Sequence, residues 1–73
     1  MMVAHLDPRD RIEIVELAHS VRIDIHAVHP ASGECRQLDP VHEPTLERAR
    51  GRAAFIAKAT GFPIVEKLKG GPA

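Results

Sequence analysis

The chain has 73 residues, ten acidic and ten basic groups, 44% apolar residues, a single cysteine and no aromatic residue beyond two phenylalanines. That length fits one domain, the lone Cys35 excludes a disulfide within the chain, and no apolar run approaches the roughly 18 residues of a membrane-spanning helix. So small a domain buries a modest share of its surface and usually needs a staple, which here would be a metal ion or association with another chain.

Asp7-Pro8-Arg9-Asp10 has the chemistry of a helix start: Asp7 as cap, Pro8 in the first helical position and Asp10 in a first turn that favours negative charge. Ile12, Val15, Leu17, Ala18 and Val21 then follow at amphipathic spacing, and a helix over residues 8–19 is predicted. A strand from Arg11 to Leu17 is the competing reading, because Ile12 and Ile14 alternate with Arg11 and Glu13 until Val15 interrupts. Met1 to Asp10 lacks a basic start followed by an apolar stretch, so a secretory signal is not expected there.

Val21 to Val28 alternates cleanly, with Val21, Ile23, Ile25 and Ala27 on one face and Arg22, Asp24 and His26 on the other. This is the pattern of a half-buried strand. His29-Pro30-Ala31-Ser32-Gly33 is turn chemistry, and Glu34 to Leu38 is predicted to return as the second strand of a hairpin. Pro40 and Pro44 bracket an expected loop.

Thr45 to Thr60 reads as the longest helix, ended by Gly61 in a left-handed cap. Leu46, Ala49, Ala53, Ile56, Ala57 and Thr60 share one face, with Ala49, Ala53 and Ala57 as a small-residue ridge. Gly51 weakens this helix by about 1 kcal/mol relative to alanine. After the corner at Phe62-Pro63, Ile64, Val65 and Leu68 suggest another helical turn or a short edge strand, and residues 69–73 a flexible tail. The expected fold class is therefore α+β: a single domain over 1–73 with an N-terminal helix, a β-hairpin, a long C-terminal helix and a short terminal element. The apolar face of the hairpin would lie on the alanine ridge.

Charge is unevenly spread. Residues 1–43 carry a net charge of −4 and residues 44–73 a net charge of +4. The two halves can satisfy one another, or the basic half can meet an acidic or nucleic-acid partner. Arg48 and Arg52 lie together on the helix face away from the ridge, with Phe55 beside them, and Arg50 and Lys58 extend the basic character. Arginine forks bind phosphate and a nearby aromatic can stack on a base. Ile56 to Phe62 also resembles the first helix and turn of a helix-turn-helix, on Ala57 four residues before the turn glycine Gly61. The resemblance implies a second helix, yet Lys67 and Gly70 stand where it would need apolar residues.

His26, His29, Cys35 and His42 form a candidate zinc set around the hairpin, although their intervals do not make two close ligand pairs. Ser20, Ser32, Thr45 and Thr60 are the hydroxyl nucleophiles, none in a strained elbow, and Cys35 beside a histidine is the only thiolate pair to weigh. Glu13 and Glu16 would share a face of the N-terminal helix as solvated surface. No catalytic residue and no cofactor is expected. The reading is a non-catalytic, cytoplasmic interaction or accessory protein acting as a homo-oligomer or on a larger protein. The alternative is a nucleic-acid-binding regulator using helix 45–60 and its Arg48, Arg50, Arg52, Phe55 and Lys58.

Overall fold

The computed structural model describes residues 8–69. They form a five-stranded mixed sheet with one helix on one face. Its elements are β1 (Arg11–Glu16), β2 (Val21–Val28), β3 (Cys35–Gln37), β4 (Val41–Glu43), α1 (Leu46–Thr60) and β5 (Ile64–Lys67). β1 and β2 are the antiparallel centre. β5 runs parallel to β1 and forms one edge. β3 and β4 both pair with β2, β3 along His26–Val28 and β4 along Val21–Ile23, so they lie end to end on the opposite edge.

The expected N-terminal helix is absent: residues 11–16 are β1. The spacing that suggested a helix loses to the alternation inside it. Ile12 and Ile14 are β-branched, suit a pleated surface and are both fully buried. Asp10 starts no helix. Its Oδ1 accepts a 2.7 Å hydrogen bond from the Val28 N–H, which ties the start of β1 to the end of β2. Asp7, the expected cap, and residues 70–73 of the expected tail lie outside the described residues. The arrangement of an N-terminal helix with a long C-terminal one is thus replaced by a sheet bearing a single helix.

The β1–β2 connection is a tight turn closed by Leu17 N–H to the Ser20 carbonyl at 2.8 Å. The second hairpin turns at 29–34, where Gly33 takes φ of 72° and its N–H bonds the His29 carbonyl at 2.8 Å. Pro40 lacks the N–H that a continuous strand would donate, which fits the break between β3 and β4. The segment bracketed by Pro40 and Pro44 is a strand rather than the expected loop.

α1 ends in the expected Gly61 cap, while Thr45, read as the first helical residue, is instead its N-cap. The Thr45 hydroxyl accepts from the Arg48 N–H, and Gly61, at φ of 80°, donates to the Ala57 carbonyl. The turn after it does not lead into a second helix, so the helix-turn-helix likeness ends there. The Pro63 carbonyl instead accepts the Ile12 N–H at 2.8 Å and opens the β1–β5 ladder. Ile12, Ile14, Val21 and Ile23 of the sheet pack with Ala49 and Ala53 of α1; Val21 and Ile23 meet the ridge as expected, while Ile12 and Ile14 reach it from β1 rather than from a helix. Ile25, Val41, Leu46, Ile56, Ala57 and Phe62 border this core.

Ile14→Ala is expected to lose about 2–5 kcal/mol in denaturant unfolding, because the lost burial and the residual cavity act together. Gly61→Ala should lose about 1–2 kcal/mol, the cost of placing a Cβ in a left-handed residue. Equal stability of either variant and wild type would contradict this packing.

Candidate functional site

The face of the sheet opposite α1 is polar. Cross-strand register sets Arg11 opposite His26, Glu13 opposite Asp24 and Val15 opposite Arg22, with Lys67 of β5 beside Val15. Two carboxylates directly opposite each other repel, and here both are buried, Glu13 at 6% and Asp24 at 3% exposure. Three cations compensate them. Arg11 Nε donates to Glu13 Oε2 at 2.6 Å, and Lys67 Nζ lies 3.3 Å from the same oxygen. Arg22 Nε donates to both Asp24 oxygens, at 2.9 and 3.1 Å. The Arg11 guanidinium, aided by the Lys67 ammonium, holds the Glu13 carboxyl below its ordinary range against the upward push of burial.

His26 completes the cluster. Its Nε2 is buried, lies 3.4 Å from Glu13 Oε1 and makes no hydrogen bond. Glu13, Asp24 and His26 are the one group among the described residues with His, Cys, Asp or Glu ligand atoms close enough to share a metal ion. A divalent ion there would have to displace or tolerate Arg11, Arg22 and Lys67, which already outnumber the two carboxylates. The arrangement serves as a neutralising charge network across three strands.

The zinc set expected from sequence is not assembled. His26 lies in this network, while His29 precedes the hairpin loop and its Nδ1 accepts from the Ala31 N–H at 3.1 Å. Cys35 is exposed on β3. His42 sits on β4 opposite Arg22, four residues along β2 from His26. Glu13 and Glu16 do not form a solvated helical pair, because on a strand their odd spacing sends them to opposite faces. The burial of Glu13 was missed for that reason, and the signal was its alternation with Ile12 and Ile14.

On the other side of the molecule, α1 turns Arg48, Arg50, Arg52, Phe55 and Lys58 away from the core. Phe55 is 73% exposed. Arg50 makes a two-bond fork to Glu66 at 2.7 and 2.8 Å, which keeps the Glu66 carboxyl below its ordinary range. Arg52 bonds Glu43 at 3.2 Å. The structure therefore divides the five: two arginines are engaged by acids from β5 and β4, while Arg48 and Lys58 have no side-chain ion pair among the described residues. A shallow apolar pocket lies on the β2–β3 hairpin, lined by Ala27, Val28, His29, Pro30, Arg36 and Leu38, and no titratable cluster converges on it.

The Glu13 network has a definite acid signature. A carboxyl depressed in the folded state contributes stability above its unfolded pKa, and that contribution is lost as pH falls through the folded value. Glu13→Gln should therefore melt below wild type at neutral pH. The gap should narrow once pH drops below the ordinary Glu value of 4.5. A gap constant from neutral pH to strong acid, in melting curves across that range, would contradict the assignment.

The chain matches no family model, no curated protein and no solved structure.

Proposed function

We propose that this chain is a non-catalytic interaction protein that works by associating with protein, either a second copy of itself or a larger partner. One observation carries the reading. Among the described residues only three large side chains, Ile12, Ile14 and Ile23, are fully buried, while Leu38, Phe55, Ile64 and Val65 stand at 39–73% exposure. A chain with so few large apolar groups gains by covering the ones it leaves in water, at about 25 cal/mol per Å². β5 adds a sheet edge with Ile64 and Val65 on it. Such an edge offers unpaired backbone groups to a further strand.

The nucleic-acid alternative keeps Arg48 and Lys58 as its cations but loses force at Arg50 and Arg52. Phosphate would have to compete with Glu66 and Glu43 for them. Catalysis has little support, since both carboxylates of the one buried cluster found among the described residues are already paired with Arg11, Arg22 and Lys67. No described helix is long and apolar enough to cross a membrane, and the exposed free thiol of Cys35 suits the reducing cytoplasm to which we assign the chain.

Sedimentation at low micromolar concentration is expected to show either a mass above one chain, reduced by Val65→Lys on the open edge, or a monomer that gains thermal stability on adding its protein partner. A monomer that melts cooperatively at high temperature would count against the reading. Titration with a short duplex at low salt should show no binding. Tight binding that weakens steeply as salt rises would favour the nucleic-acid reading instead.

A further inference from the structure

Three residues on the outer face of α1 act against the helix that holds them. Arg48 occupies the third helical position, three residues after the Thr45 cap. A glutamate or glutamine there would complete a capping box, and a cation there opposes the positive end of the helix dipole. Gly51 is a mid-helix glycine with ordinary helical φ, and a Cβ built on it would meet nothing within 4 Å. Nothing in the packing of the described residues requires its lack of a side chain. Phe55 leaves a large ring 73% exposed.

Arg48, Gly51 and Phe55 are spaced three and four residues apart, which places all three on one helical face. A helical side chain leans toward the N-terminus of its helix, so the Phe55 ring stands toward the bare turn at Gly51. The three departures from good helix design thus fall together, and residues that break a local rule without an internal gain mark a functional surface.

Charge decides what can cover this face. Two copies packed antiparallel, with each Phe55 over the other's Gly51, would set Arg48 of each copy opposite Lys58 of the other. That is two like-charge contacts in one interface. Neither cation has an ion pair among the described residues to relieve the repulsion. Arg48 and Lys58 are ten residues apart, about 15 Å along the axis. An occupant with acidic groups at that separation and a flat apolar centre satisfies both cations, the Phe55 ring and the gap at Gly51.

We propose that the outer face of α1 is a docking surface for an apolar helical segment of another protein that carries acidic residues at both ends. This inference rests on the interaction-protein reading and names the partner's chemistry.

The test uses the full chain and two labelled synthetic helical peptides of leucine and alanine. One has glutamates spaced to meet Arg48 and Lys58, and its twin has lysines at those positions. The acidic peptide is expected to bind at least ten-fold more tightly than its twin. Phe55→Ala should weaken it at least ten-fold with an unchanged melting curve, since that ring is exposed. Arg48→Glu with Lys58→Glu should reverse the preference. Gly51→Ala separates the proposal from a structural role: it should raise the melting temperature and yet weaken peptide binding several-fold.

Equal binding of both peptides, or acidic-peptide binding untouched by Phe55→Ala and Gly51→Ala, overturns the proposal. So does self-association abolished by Phe55→Ala, which would make a second copy the occupant, or preference for a short duplex over the acidic peptide. Self-association that survives Phe55→Ala, with no peptide binding, removes this surface but leaves the interaction-protein reading standing.

Discussion

The rest of the structure depends on the register between β1 and β2. With Ile12 opposite Ile25 and Ile14 opposite Ile23, these four isoleucines reach the face that α1 covers. The same register sets Glu13 against Asp24 on the other face. A slip of one residue would put carboxylates under the helix and isoleucines in water, so the alternation tolerates no neighbouring pairing. The cost of this choice is a buried like-charge pair, and the sheet supplies its remedy locally. Arg11 and Arg22 each lie two residues along the same strand from the carboxylate they neutralise, and Lys67 arrives from β5.

The two faces then take different roles. The network of Arg11, Glu13, Asp24, His26, Arg22 and Lys67 is inward-directed, with nearly every polar group answered by another. α1 is the reverse. Its inner face is spent on Ala49 and Ala53 against the sheet, and its outer face holds Arg48, Phe55 and Lys58, which no ion pair or packing among the described residues answers. Arg50 and Arg52 mark the boundary, since Glu66 and Glu43 reach around from β5 and β4 to bind them. The opposite charges of the two halves of the sequence are partly cancelled within the fold by Arg52 with Glu43 and Lys67 with Glu13, whereas Arg50 is met by Glu66 of its own half.

Much of this was legible in the residues. The alternation of Val21–Val28, the Gly33 turn, the span of α1 with its Gly61 cap and the alanine ridge all follow from local chemistry. β1 was not, for two reasons. Asp7-Pro8 imitates a helix start, and the turn between β1 and β2 is built from Ala18, His19 and Ser20, with no glycine or asparagine to announce it. β4 was hidden by the prolines on either side, which read as a loop although β4 needs only three residues to pair. The parallel pairing of β5 with β1 has no local signature, because the partner is chosen by the path of the chain over α1. The site residues followed the same division: Phe55 and its basic neighbours could be placed on a wheel, whereas the burial of Glu13 required knowing that it sits on a strand.

The pairing of Ile12 with Ile64 spans 52 positions of the chain. The antiparallel hairpin can close as soon as its own residues are available, but the outer edge of β1 has to wait until β5 has been made. On the ribosome, that edge is a bare row of amides and carbonyls until β5 emerges. Contacts of such long range also slow folding, because the loop must be closed before any bond rewards it. β5, made well after β1, is therefore what shields it from mispairing with a neighbouring nascent chain.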